Sequence, residues 1–262
     1  MTRVLAFVYG VACYAVFLGT FLYAIGFVGG FAVPKTIDSG AAGPVGTAVL
    51  VNLGLLALFG LQHSVMARQG FKERWTRIVP RPVERSTYVL FTSLVLIALF
   101  ALWRPLPEMV WEVEATAGRA VLWGLYGAGW LVVLLATFMI DHFDLFGLRQ
   151  VWTHLKGERY QPPEFQTPGI YRYVRHPLMT GFLLAFWATP EMSAGHLLFA
   201  GVSTLYVLVA LRFEERDLIE FHGEKYREYR RRTPMLIPWP GGGEQTGAGE
   251  AGPMEGGAAG GA

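Results

Sequence analysis

The chain has 262 residues, of which 53% are hydrophobic and 16% charged, with a mean hydropathy of +0.36 and a formal net charge of +2. That balance excludes an ordinary soluble domain and points to an integral membrane protein with room for a small helical bundle. One cysteine, Cys13, excludes an intrachain disulfide and a cysteine cluster for zinc or iron–sulfur, and its apolar setting reads as a packing position.

In chain order, the first apolar run covers Val4 to Val33 and exceeds the roughly 20 residues that cross a bilayer. A signal peptide would have a shorter apolar core and a small-residue cleavage site, so this segment is expected to be a retained helix. Further runs cover Gly46 to Ala67, Ser86 to Trp103 and Gly118 to Ile140, with Pro80, Pro82, Pro105 and Pro107 expected in the connections. A fifth piece, Leu178 to Ala188, is short and bounded by Pro177 and Pro190; a tilted or re-entrant segment and a full crossing both fit that length. A sixth, Gly195 to Leu211, completes a helical hairpin that starts and ends on one side. No strand alternation persists, so the expected fold is an all-α integral membrane protein: four transmembrane helices plus a C-terminal hairpin, five to six membrane segments in all.

Nineteen of the 22 Lys and Arg residues fall in the N-terminus and the segments 68–85, 149–175 and 212–232, which alternate with connections holding only Lys35, Arg104 and Arg119. By the positive-inside rule the N-terminus, the 141–177 segment and the C-terminal region are cytoplasmic. Three parts are expected: transmembrane helices over 1–140, a functional region over 141–239, and a Gly/Ala-rich disordered tail over 240–262, which holds ten glycines.

Candidate functional residues concentrate in the middle part. Tyr171-Arg-Tyr-Val-Arg-His-Pro combines Tyr171, Tyr173, Arg175 and His176 just before a membrane segment that opens with Pro177 and Leu178. An interfacial anchor of aromatic and basic side chains has the same composition. Glu214 and Glu215, however, sit at the end of the last apolar run where Lys or Arg is usual, and ionisable residues at such depth tend to be paired and functional. Tyr226, Tyr229 and Arg230 follow at helical spacing. This inventory suits a ligand with a ring to stack, a carboxylate to neutralise and a cationic sulfur to surround with electron-rich groups.

A second group, Asp141, His142, Asp144, Arg149 and Gln150, follows the fourth run, and Gln62-His63 lies near the matching end of the second. A hydrated helix end, a metal site from His142, Asp144 and His63, and an acceptor site that takes a proton all remain open; the lack of an HExxH-like repeat speaks against the metal. A glycine-rich turn between a strand and a helix, which soluble nucleotide-binding folds use, is absent outside the tail.

Arg-His-Pro before a short hairpin, then Glu-Glu-Arg and Tyr-Arg-Glu-Tyr-Arg-Arg-Arg, resembles the S-adenosylmethionine-binding region of the isoprenylcysteine carboxyl methyltransferase and phospholipid methyltransferase group of membrane enzymes. The wider block Asp141 to Trp152 with Arg175 to Pro190 is similar to the bacterial methanethiol S-methyltransferases, and the strong part of the likeness covers about 138–238. The resemblance implies a methyltransferase of a bacterial cytoplasmic membrane using S-adenosyl-L-methionine on a small thiol such as methanethiol. It assigns the cofactor to Tyr171, Tyr173, Arg175, His176, Pro177, Leu178, Glu214, Glu215, Tyr226, Tyr229 and Arg230. Position next to that region, at the depth where Arg175 and His176 enter the hairpin, makes Asp141, His142, Asp144, Gln150 and His63 the expected acceptor residues. A prenylcysteine carboxylate or phospholipid amine as acceptor, or a non-catalytic membrane protein binding a nucleotide-like ligand, are the competing readings. Nothing in the sequence points to nucleic acid or to an obligatory protein partner.

Overall fold

A computed structural model describes residues 2–238, so the tail expected over 240–262 lies outside the described residues. Five helices are long and apolar enough to cross a membrane: α1 (Arg3–Gly29), α2 (Val45–Ala67), α4 (Arg81–Leu102), α5 (Thr116–Ile140) and α9 (Ala194–His222). Short helices α3 (Gln69–Trp75), α6 (His142–Leu145), α7 (Leu148–Lys156) and α10 (Glu224–Arg232) fill the basic segments, and a 3₁₀ turn covers Gly169–Arg172. The chain is an all-α multi-pass membrane protein. One small exception stands against the expectation of no strands: β1 (Met109–Glu112) pairs antiparallel with β2 (Glu191–Ser193). Strands of four and three residues are too short to leave an alternation in the sequence.

Two boundaries differ from expectation for local reasons. The third long helix begins at Arg81, so Pro82 lies in its first turn, where a missing N–H leaves no intrahelical bond unmade. The last continues past Leu211 to His222, which carries Glu214 and Glu215 inside the helix. The fifth apolar piece is α8 (Pro177–Trp187), 11 residues and so about 16 Å, half of a bilayer core. Residues 188–193 continue it in largely extended form into β2.

The bundle has two chemically distinct ends. At one, the β1–β2 ribbon lies near the contacts of Lys35 Nζ with the Ala101 carbonyl (2.6 Å), Asn52 Nδ2 with the Arg104 carbonyl (2.8 Å) and Arg119 with Glu191 (2.6 Å). At the other, Arg68 pairs with Asp217 at 2.7 Å and Arg85 Nε donates to the Leu145 carbonyl at 2.8 Å. We call these the ribbon end and the basic end. Between them an aromatic core of Phe27, Phe100, Trp103, Tyr126, Trp130 and Phe199 joins α1, α4, α5 and α9. Cys13 is buried, as its apolar setting suggested.

The helix pair that positions the site is α5 with α8, which touch backbone to backbone. A Cβ on Gly181 would lie 2.6 Å from the Gly129 carbonyl oxygen and 2.8 Å from Val133 N, so only glycine permits this approach. Gly127, two residues away, has open space around it. Gly181→Ala is therefore expected to destabilise the protein by about 1–3 kcal/mol through overpacking. Gly127→Ala is expected to be neutral or to stabilise by about 0.5–1 kcal/mol through helix propensity. Thermal unfolding of the two variants in one detergent checks the contrast; equal midpoints would remove the packing argument.

Candidate active site

Where α8 begins, the chain reverses against its own C-terminal segment. The backbone N–H groups of Arg175 and His176 donate to the carbonyls of Pro234 (2.9 Å) and Met235 (3.1 Å), and the Thr180 hydroxyl donates to Leu236 O at 2.6 Å. This pairing delivers a guanidinium and an imidazole to α9. Arg175 Nε donates to Glu215 Oε1 at 2.6 Å, His176 Nε2 lies 3.2 Å from the same oxygen, and Arg230 Nε lies 3.3 Å from Oε2. Arg175 also donates Nη1 to the carbonyls of Arg230 (3.1 Å) and Thr233. Glu215 is 3% exposed, so two guanidinium groups and an imidazole surround one dry carboxylate, which is what a buried charge requires.

Aromatic groups close the network. Tyr229 donates its hydroxyl to the Tyr171 carbonyl at 2.5 Å, and Phe165 packs edge-on against both Tyr226 and Tyr229. Tyr226 is buried and, among the described residues, its hydroxyl has no hydrogen-bond partner. Burial pushes the Tyr229 hydroxyl up to about 12 and that of Tyr171 higher still, so both stay neutral donors. Pro177 is buried in the first turn of α8, beside half-buried Leu178. Tyr173, at 68% exposure, points away from the cluster. An open cleft of about 430 Å³ lined by Arg212, Glu215, Arg216, Ile219, Arg230 and Met235 reaches the network from outside.

Glu214 has a different environment from its neighbour, because adjacent helix residues point about 100° apart. It keeps accessible surface and, among the described residues, has neither an ion pair nor a side-chain hydrogen bond. Its charge acts on His176 and on the hydroxyls of Tyr88, Tyr171, Tyr206 and Tyr226. An unpartnered carboxylate amid tyrosines is an environment for a cationic ligand.

Tyr88 links this space to the second group of residues. Its hydroxyl lies 3.0 Å from a ring nitrogen of His63, whose ring stacks on Phe59. The Arg85 guanidinium lies over the Tyr88 ring, 5.4 Å from its centroid. Arg85 in turn acts on Asp144, in α6. Asp144 accepts from Tyr160 at 2.8 Å and from Gln150 at 3.3 Å, and burial raises its carboxyl above the usual range while the Tyr160 bond lowers it. Asp141 caps α6 by accepting from Asp144 N at 3.0 Å, and its other oxygen pairs with Arg149.

His142 is turned elsewhere. The Thr137 hydroxyl donates to the Leu134 carbonyl at 2.7 Å, so toward His142 Nδ1, 2.8 Å away, it accepts. That puts the ring proton on Nδ1 and leaves Nε2 to accept from Tyr14 at 2.8 Å. Both nitrogens are occupied, and burial lowers the ring's pKa. His142, Asp144 and His63 do not converge, and among the described residues no three His, Cys, Asp or Glu side chains are placed to hold a metal.

The structure thus gathers Tyr171, Arg175, His176, Glu214, Glu215, Tyr226, Tyr229 and Arg230 around one region, with His63 and Asp144 reached through Tyr88 and Arg85. Sequence reasoning missed Arg85, Tyr88, Tyr160 and Tyr206. Each is a single residue inside a basic loop or an apolar helix, and no local pattern sets it apart.

Residues 51–230, more than half of the chain and all of the network side chains just described, match the NnrU protein family. The chain belongs to the NnrU family. Its similarity extends to the methanethiol S-methyltransferase of Mycobacterium tuberculosis, 57% identical over 92% of this chain and 98% of that one. Methanethiol S-methyltransferase 1 of Bradyrhizobium diazoefficiens is 56% identical over 90% and 83% of the two chains. Human Nurim is 32% identical over 64% of this chain and 66% of its own length. No solved structure matches this NnrU-family chain.

The cationic cluster generates a stability test. Arg175→Ala leaves Glu215 buried without its shortest contact and is expected to cost about 3 kcal/mol. Arg230→Ala, whose side chain is half exposed, is expected to cost under about 1 kcal/mol. Unfolding midpoints that fall equally in the two variants would contradict the dominant role of the buried pair.

Proposed function

We propose that this chain is an integral membrane methyltransferase that uses S-adenosyl-L-methionine to methylate methanethiol to dimethyl sulfide. The observation that carries the reading is Glu214: among the described residues a carboxylate with no ion pair and no side-chain hydrogen bond, one position along α9 from the Arg175–Glu215–His176 cluster. The names of the bacterial relatives, at 56–57% identity, support the acceptor.

The residues fit the cofactor on two counts: among the described residues Glu214 has no ion pair and the buried Tyr226 hydroxyl has no hydrogen-bond partner. When bound, S-adenosylmethionine supplies a methyl group activated by the positive charge on its sulfur. Glu214 and the ring faces of Tyr171 and Tyr226 would hold that charge. Arg175 and His176, through Glu215, fix the geometry of α8 against α9, while Arg230 and Tyr229 close the outer side. On the acceptor side Asp144 holds the proton that leaves the thiol; its burial-raised carboxyl is a stronger base than an ordinary aspartate. His63, held by Tyr88, shapes the inner wall. His142, with both nitrogens engaged, and Asp141, committed to its cap and to Arg149, support the α5–α6 turn. Beyond that, the protein aligns the reacting atoms and keeps out water. We place the basic end in the cytoplasm of a bacterial inner membrane, on the charge asymmetry alone.

Activity, binding and topology measurements test this. Purified protein given S-adenosylmethionine and methanethiol is expected to release dimethyl sulfide. Glu214→Gln is expected to weaken cofactor binding by roughly tens to hundreds of fold in calorimetry. Asp144→Asn is expected to lower turnover about 10²- to 10⁴-fold with cofactor affinity retained. In Tyr160→Phe, loss of a bond that holds the Asp144 pKa down moves the acid limb of the pH–rate profile upward. Turnover of a prenylcysteine or phospholipid amine but no thiol would replace the acceptor, and unchanged affinity in Glu214→Gln would overturn the site. For orientation, a reporter fused after residue 238 is expected to be active only on the cytoplasmic side, and activity only outside would invert the topology.

A further inference from the structure

Arg85 is a charged group at the basic end that the reading above leaves unused. It projects from the first turns of α4, half-buried, with Nε fixed on the Leu145 carbonyl at 2.8 Å. Its guanidinium lies over the Tyr88 ring, and Tyr88 in turn contacts His63. Among the described residues its two terminal nitrogens donate no hydrogen bond and it forms no ion pair. The titratable groups close enough to feel its charge are Lys72 of α3, His63 of α2, Tyr88 of its own helix and Asp144 of α6; Glu84, next to it in the chain, acts on Lys72, and Asp141 and Arg149 act on Asp144. Burial first and Arg85 second hold the Lys72 ammonium below the ordinary lysine range, with Glu84 opposing them. Asp144 is near enough to feel this charge, yet its side chain pairs with Tyr160 and Gln150 rather than with Arg85. A guanidinium with unused donors, one face on an aromatic ring and a carboxylate nearby, is a seat for a small anion whose proton the carboxylate has taken.

We propose that Arg85 is the acceptor-binding residue that receives the small thiol's sulfur as a thiolate, with Tyr88 and His63 as the wall against which the alkyl group packs. The inference rests on the methyltransferase reading and deepens it on the acceptor side. In the step, the S–H bond breaks, its electron pair stays on sulfur, and the proton passes to the Asp144 carboxylate, so the negative charge moves from oxygen to sulfur beside the guanidinium. An opposite charge at about 4–6 Å lowers an acid's pKa by about 1 to 3. At neutral pH the thiolate fraction of the bound thiol therefore rises about 10- to 10³-fold.

The test titrates ¹³C-labelled methanethiol bound to the full-length protein in detergent without any methyl donor, reading ionisation from the methyl carbon shift, alongside dimethyl sulfide turnover of the same samples. Wild type is expected to ionise the bound thiol about 1 to 3 pH units below the free thiol, Arg85→Lys to keep most of that difference, and Arg85→Gln to lose it. The pH–rate profile of Arg85→Gln is expected to move to higher pH, with turnover about 10- to 10³-fold lower at neutral pH and largely recovered in alkali. A wild-type protein in which bound and free thiol ionise alike overturns the inference even if Arg85→Gln does not fold. So does an Arg85→Gln whose ionisation and pH profile match wild type, and in both cases wild-type turnover leaves the methyltransferase reading standing. A wild type that methylates no thiol overturns that reading and this inference together.

Discussion

The structure depends on the neutralisation of one carboxylate. Glu215 sits out of water on α9, and Arg175, His176 and Arg230 reach it from two other parts of the chain. Stranding a charge there costs several kcal/mol, so arrangements that bring these partners together are strongly favoured. Because Arg175 also donates to Thr233 and Arg230 carbonyls, the same contact fixes α10 and the segment after it. The start of α8, the charged end of α9, α10 and the C-terminal strand-like stretch are therefore one cooperative unit. The unpaired Glu214 is held at its surface, and the ligand-directed carboxylate is positioned by the structural one.

This division of labour explains what a reader of the sequence can and cannot see. The long helices were legible from runs such as Gly46–Ala67 and Gly118–Ile140, which α2 and α5 reproduce within two residues at either end. The cluster of Arg175, His176, Glu215 and Arg230 was legible as composition, because charged residues next to membrane helices are conspicuous. Which glutamate pairs and which stays open was not, since Glu214 and Glu215 differ only in the direction their helix gives them. Arg85 and Tyr88 were invisible for another reason: their partners, Leu145 and His63, lie 60 and 25 residues away. The His142 ring, conspicuous in the sequence, proves to be occupied by Tyr14 from a helix more than a hundred residues earlier.

The two halves of the site have different physical characters. On the α8–α9–α10 side, charges are buried, paired and backbone-anchored, which gives a rigid surface suited to holding a large polar ligand. On the α4–α6 side, Arg85 and Asp144 keep unsatisfied capacity, and Tyr88 and His63 give an apolar, polarisable wall. A small, weakly polar acceptor makes few contacts of its own, so the protein's contribution there is electrostatic. Gly129 and Gly181 connect the halves: by letting α5 approach α8 at backbone distance they set the separation of the α5–α6 turn from the α8 entrance.

The β1–β2 ribbon at the far end carries a mechanical implication. It stitches the α4–α5 connection to the α8–α9 connection with a backbone ladder, so four helices share a fixed pivot, whereas at the basic end they are joined mostly through side chains. A rod about 30 Å long turned by about 5° around one end sweeps the other by about 2.6 Å. Angular play that is imperceptible at the ribbon thus becomes a displacement as large as a hydrogen bond where Arg175 meets Glu215. With the ribbon as the fulcrum of such a lever, the buried Arg175–Glu215 contact is the clasp that keeps the opposite end in register.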